Sequence, residues 1–371
     1  MIEPPAVPAG AAPAEPSQMS TSSLAELGWD DGFEASYQAE LDRLAPQSAE
    51  RASGGRVVRR DRTHCTVATG AGTRQLGVAQ SLLADPLQAP TTGDFVVVVG
   101  DEVVAVLERR TAVMRAAFRD LSAQVLAANV DTVLAVSSLA NPWRARRVER
   151  LLVIAWQTGA VPILVLTKAD CCEDASDVYK AAVAVAPGCA VHVVSALTGE
   201  GMDVLAAELA PGTTSVMIGT SGAGKSTLAN ALSDGEASLA VAEIRDDGKG
   251  RHTTVTRELV FLRNGALMID TPGLRAIGLW DAEDALADAF SDVEELALGC
   301  RFNDCAHDRE PGCAVKEAIE DGRLEYERLE SYRRLQAEQR RLAARTDARL
   351  RAERSAQFKQ LNKQMRSQFY R

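Results

Sequence analysis

The sequence predicts an α/β protein in three parts: a small all-β barrel, a parallel α/β domain, and a helical segment carrying a Cys/His cluster. Three observations predict it. Short β-branched runs broken by Gly, Asp and Pro fill residues 54–115. After Asn129 apolar strands alternate with amphipathic helices, the signature of a parallel sheet. Beyond Asp292 the pattern turns helical, with three cysteines and one histidine between 300 and 313.

Residues 1–53 form an acidic, Pro/Ala-rich extension that the composition predicts to be partly disordered, with a short helix or docking segment around 24–41. Residues 54–118 supply GRVVRRD, HCTVAT, RQLGVAQSLL, GDFVVVVG and EVVAVLERR, which suit a five-stranded OB-type barrel, either an RNA-binding one or a plain β-domain. Residues 119–290 hold the strands VDTVLAVSS, VPILVLT, AVHVVSA, SVMIGTS and ALMID, with RARRVERLLVIAWQTG as a helix. Residues 291–330 are the Cys/His segment, and 331–371 read as a long charged helix.

The 371 residues are 46% hydrophobic and 25% charged, ordinary for a globular protein. The opening residues show no basic stretch before an apolar run, and the longest apolar runs are too short to span a bilayer. A cytoplasmic protein without a membrane partner is expected. Seven cysteines in such a chain argue against a disulfide framework. The net charge of −10 hides an asymmetry. Residues 331–371 hold twelve Arg or Lys against Glu338, Asp347 and Glu353, a local excess of +9 that leaves −19 for the other 330. A basic tail on an acidic body is suited to gripping RNA phosphates, although a charged helix of this kind also serves as a solvated one.

The strongest motif is GTSGAGKS: Gly219, Thr220, Ser221, Gly222, Ala223, Gly224, Lys225 and Ser226, followed by Thr227, between a strand and a helix. It fits G-x-x-x-x-G-K-[ST], whose glycines let backbone N–H groups wrap around phosphates. Lys225 is placed to reach the β and γ phosphates, and Ser226 to ligate Mg²⁺. DTPG follows, 44 residues beyond Ser226. Asp270 belongs to the Mg²⁺ shell, and the Gly273 N–H senses the γ phosphate.

TKAD supplies the base. The Asp170 carboxylate accepts two hydrogen bonds from guanine, a pair adenine does not offer, so the wrong base leaves an acceptor unpaired. Lys168 lays its stem along the purine. Ser195 and Ala196 end a strand where a backbone N–H meets the guanine oxygen. These base-reading loops precede the phosphate loop, whereas ordinary GTPases have the reverse order. The domain is therefore a circularly permuted P-loop GTPase, a rearrangement that close chain ends permit.

On AANVDTVLAV, TKAD, GTSGAGKSTL, GKGRHTTV, IDTPGLR and CRFNDCAHDREPGCAV, the chain after residue 54 strongly resembles the RsgA family of ribosome small-subunit-dependent GTPases. The resemblance implies an OB barrel, a permuted GTPase and a C-terminal zinc domain. It also implies GTP hydrolysis during late maturation of the small subunit, with contacts to its ribosomal RNA; a monomer is expected. One departure is Thr167, where GTPases usually place asparagine. A hydroxyl has fewer hydrogen-bonding options, which predicts modest nucleotide affinity.

Cys300, Cys305, His307 and Cys313 make a closed Cys₃His set, the composition of a structural zinc site. Leu274 follows DTPG, where many GTPases keep a water-orienting glutamine. His252, in RHTTVT, is the nearest candidate to orient water, or else an ordinary loop histidine. Thr253 or Thr254 closes on Mg²⁺. A P-loop ATPase and a non-catalytic RNA-binding factor are the rival readings.

Overall fold

The computed structural model describes residues 24–61, 63–116, 123–233, 257–270 and 283–341. Five strands, β1 (Ala52–Arg60), β2 (His64–Thr69), β3 (Gly72–Val78), β4 (Phe95–Val99) and β5 (Glu102–Val106), run in the order β1-β2-β3-β5-β4, and a β1–β4 pairing closes them into the expected barrel. Val57, Val67, Leu76, Val96, Val98 and Val103 fill it. Gly55 is required on β1, since a Cβ there would lie 2.5 Å from the Val67 side chain. Helix α3 (Gln80–Leu83) sits between β3 and β4.

The acidic extension contributes structure. Helix α1 (Asp31–Leu41) is capped by Asp30, whose carboxylate accepts from the N–H groups of Gly32 and Phe33. Its Phe33 buries against Phe95 and Val97 of β4, and helix α2 (Pro46–Ala49) leads into the barrel. This docking buries apolar surface that a disordered segment would leave exposed.

The hairpin of β6 (Ala112–Ala116) and β7 (Ala123–Ala128) forms a separate two-stranded sheet. Then follow β8 (Thr132–Ser138), α4 (Ala145–Trp156), β9 (Val161–Thr167), α5 (Ser176–Val185), β10 (Ala190–Val194), α6 (Met202–Glu208), β11 (Thr214–Gly219) and α7 (Lys225–Leu232). β12 (Glu258–Phe261) and β13 (Leu267–Asp270) complete the sheet, ordered β10-β9-β8-β11-β13-β12. All of these run parallel except β12, which is antiparallel to β13. β12 also pairs with β1 through Arg59 and Glu258, so barrel and α/β domain share one continuous sheet.

Arg56 joins the two parts from within. It is 1% exposed and donates to the carbonyls of Leu27, Gly93 and Asn129 and to the Thr214 hydroxyl. Burial depresses its pKa to about 10, opposed by the charges of Asp131 and Asp94, so it remains a cation at neutral pH.

Helices α8 (Glu283–Ala289), α9 (Ser291–Ala297) and α10 (Ala314–Glu320), and α11 over residues 326–341, share the core of the α/β domain. Tyr332 and Leu335 of α11 are buried there. The first part of the predicted charged tail is thus a docked helix with one apolar face, and residues 342–371 lie outside the described residues. No helix among the described residues is long and apolar enough to cross a membrane.

Candidate nucleotide site and metal centre

The phosphate loop leaves the end of β11 and enters α7 at Lys225. Gly219 lies against β8, and a Cβ there would come 2.4 Å from the Val136 carbonyl oxygen. Gly222 and Gly224 adopt left-handed backbone (φ 77° and 88°), which only glycine enters without strain. The Lys225 ammonium donates to the carbonyls of Gly219 and Thr220, both at 2.8 Å. It therefore lies folded over its own loop, where a phosphate would compete for it. Ser226 and Thr227 are exposed on the first turn of α7.

The base-reading loops stand at the same edge. β9 and β10 are parallel neighbours with Thr167 opposite Val194, so TKAD and the Ser195–Ala196 turn emerge side by side. Ser195 is buried and donates its hydroxyl proton to the Asp170 carboxylate at 2.5 Å, while its oxygen accepts from the N–H groups of Leu197 and Thr198. The Asp170 carboxyl is held below the usual carboxylate range, chiefly by that bond. It is exposed and ready to accept. Cys171, which sequence reading did not single out, also donates to it at 3.4 Å.

Thr167 joins base loop to phosphate loop. Its buried hydroxyl donates to the Ala223 carbonyl at 2.6 Å, with the Ser137 carbonyl at 3.4 Å. Nothing in the sequence announces this bond, since its partners are 56 residues apart. Lys168 follows in left-handed backbone (φ 60°), and its Cε passes 3.9 Å from where a Gly224 Cβ would stand. Base loop and phosphate loop are thus one packed unit.

Asp270 ends β13, parallel to β11, and so reaches the same edge. Gly273 and Leu274, and His252, Thr253 and Thr254, lie outside the described residues.

In the C-terminal segment, the donor atoms of Cys300, Cys305, His307 and Cys313 all lie within 4.8 Å of one another. The Cys300 and Cys313 sulfurs are 3.8 Å apart, and His307 Nδ1 is 3.6 Å and 3.5 Å from them. A tetrahedral ion with metal–sulfur bonds near 2.3 Å needs edges of about 3.8 Å between sulfurs and about 3.5 Å from sulfur to nitrogen. The donor set fits a structural metal. The loop is shaped for it: His307 (φ 58°) and Gly312 (φ 69°) are left-handed, and the Glu310 carboxylate accepts the N–H groups of Ala306, Asp308 and Arg309. From α11, Arg333 donates to the carbonyls of Ala306 and His307.

Also on α11, Arg328 is 4% exposed and pairs with Glu149 of α4 and, through two bonds, with Asp292 of α9. It also donates to the Ala289 and Val185 carbonyls and lies over the Phe290 ring at 4.0 Å. Helices α8 and α9 are thereby tied to α4 and α11.

A model of the family described as RsgA GTPase matches residues 106–280. The small ribosomal subunit biogenesis GTPase RsgA of Streptomyces coelicolor is 48% identical over 351 residues, covering 91% of this chain and 92% of its own. Its counterpart from Streptomyces avermitilis is 49% identical over 349 residues, with the same coverage. Among solved structures, YjeQ from Thermotoga maritima superposes with a TM-score of 0.59 at 27% identity, covering 77% of this chain and 98% of its own. YloQ, a circularly permuted GTPase, superposes at 0.57 with 24% identity over 77% of this chain and 94% of its own, a likeness of fold.

Proposed function

The chain belongs to the RsgA GTPase family, and from that membership we propose a GTP hydrolase that acts in late maturation of the small ribosomal subunit and binds its ribosomal RNA. The observation that carries the reading is the Thr167–Ala223 bond. It packs a guanine-type acceptor, Asp170, against a phosphate loop in permuted order. The relatives' names supply the partner, and the +9 excess of residues 331–371 supports an RNA contact. A cytoplasmic monomer is the accompanying expectation.

In this reading water attacks the γ phosphorus in line. Lys225 leaves the carbonyls of Gly219 and Thr220 for the β and γ phosphates, and loop N–H groups take up charge on the phosphoryl oxygens. Ser226, Asp270 and one of Thr253 or Thr254 would hold Mg²⁺, which supplies charge neutralisation between the phosphates. Gly273 senses the γ phosphate and His252 orients the water, since Leu274 has no group for it. Asp170, Lys168, Ser195 and Ala196 hold guanine. Cys300, Cys305, His307 and Cys313 would hold one structural zinc, whose role is local folding.

The test is phosphate release from GTP and from ATP, with and without purified small subunits. Expected are turnover of GTP alone, stimulation by the subunit, and collapse of turnover in a folded Lys225→Ala variant. Release from ATP at the GTP rate, or wild-type turnover without Lys225, would refute the assignment.

A further inference from the structure

The order of the sheet places a crevice between the carboxyl ends of β8 and β11. From β8 the chain crosses over through α4 to β9 on one side, whereas after β11 it proceeds to β13 on the other. Neighbouring strands whose connections diverge in this way leave an opening where α/β proteins bind ligands. One wall here is Thr220 of the phosphate loop; the others include Ser137, Ser138 and Asn141, with Arg144 and Arg147 at the start of α4.

The arginines of this stretch divide into two pairs. Arg146 pairs with Glu330, and Arg150 forms two bonds to Glu338, both acids belonging to α11. Arg144 and Arg147 are exposed, and their guanidinium groups have no ion pair or hydrogen bond among the described residues. Arg144 is the residue just before α4 and Arg147 lies in its first turn, and both line the same crevice. In a chain of net charge −10, this pair stands out as an uncompensated positive face beside the phosphate loop.

We propose that Arg144 and Arg147 receive backbone phosphates of the small subunit's RNA, setting the partner directly against the wall of the nucleotide site. The inference rests on the ribosomal reading above and adds the surface. Guanidinium groups suit this partner because each forks two N–H donors onto phosphate oxygens. Their exposure favours a ligand from outside over the bound nucleotide. Occupation of the crevice presses on Thr220, whose carbonyl holds Lys225 in the resting loop, so docking and release of Lys225 are linked.

The experiment compares wild type with Arg144→Ala/Arg147→Ala and with Arg144→Lys/Arg147→Lys. GTP hydrolysis is measured alone and with purified small subunits, and subunit affinity is measured over a range of salt. The alanine pair should keep the basal rate, lose at least about tenfold in subunit affinity and stimulation, and flatten the salt slope by about 1.5. The lysine pair should keep the slope, because charge is retained, and recover only part of the stimulation. Stimulation and slope unchanged in the alanine pair would overturn the proposal while leaving the ribosomal reading standing. A fall in the basal rate would also overturn it, by making the nucleotide the partner of these arginines. A wild type that subunits neither bind nor stimulate would overturn both readings together.

Discussion

At the scale of single residues, the side chains of the candidate nucleotide loops hold one another: Ser195 donates to Asp170, and Lys225 to the carbonyls of its own loop. Asp170, Lys225 and Ser195 were readable because phosphate wrapping and guanine recognition each demand particular groups at fixed offsets. Thr167 was read as a departure, with fewer hydrogen-bonding options than asparagine. The structure gives its hydroxyl a task that needs only one donor, a bond to the Ala223 carbonyl. A bond across 56 residues leaves no local trace, and neither does the fourfold engagement of Arg56. Thr167→Val, which keeps the shape and removes the donor, should therefore weaken GTP and GDP alike by about fivefold, the worth of one neutral hydrogen bond near 1 kcal/mol. Thr167→Ser should restore most of it. Titration calorimetry with both nucleotides checks this, and equal affinities for valine and serine variants would show that the hydroxyl does not hold the loops together.

Among the elements, the strands of the parallel sheet's centre were legible. β8, β9 and β11 are buried along most of their length, so nothing polar interrupts the pattern. β12 was not foreseen, because its four residues, ELVF, alternate too briefly to register. Helix α1 was foreseen only as a short helix or docking segment. Its anchoring depends on a distant pair, Arg110 with Asp30, and on Arg110 lying over the Phe33 ring. That pair gives a pH dependence of known sign. The Arg110 hydrogen bond lowers the pKa of Asp30 to about 2, against about 3.9 for a free aspartate. Its stabilisation is complete above pH ~4 and is lost as the pH falls toward 2. Asp30→Asn retains a capping side chain, so it should be less stable than wild type at pH 6 and indistinguishable at pH 2 in urea titrations. A gap that persists at pH 2 would assign the effect to something other than the charge. The metal loop is the other element whose stability hangs on a few groups. Elemental analysis should find about one zinc per chain, and stripping it should unfold residues 300–313 locally, since structural zinc contributes on the order of 10 kcal/mol. Hydrogen exchange confined to that loop is the readout; a metal-free protein with a protected loop would exclude the site.

For the whole molecule, the permuted order of motifs was fully legible, because it is a property of sequence and not of packing. What the order could not convey is that the C-terminal segment folds into the same core as the α/β domain. Charge suggested a tail beginning at 331, yet α11 begins earlier and hides Tyr332 and Leu335. Arg328 ties this junction together. Three helices and the end of α5 converge on its guanidinium, in a setting where Glu149 is only 2% exposed. Taking a charge from water into such a site is costly, so the pair is a weak source of net stability while intact. Removing one partner is another matter, because the other charge is left buried. One oxygen of Glu149, Oε2, already lacks a hydrogen-bond partner, which leaves little to compensate the loss. Arg328→Met should therefore cost about 3–5 kcal/mol, a large part of the 5–15 kcal/mol that a typical domain possesses. Pairing it with Glu149→Gln should return much of that loss, because no charge then remains buried at α4. The double-mutant cycle, read from urea midpoints at constant m, separates this pair from simple loss of packing. Additive costs in the two variants would mean that the junction is held by its apolar contacts, with Arg328 serving only to fill space over Phe290.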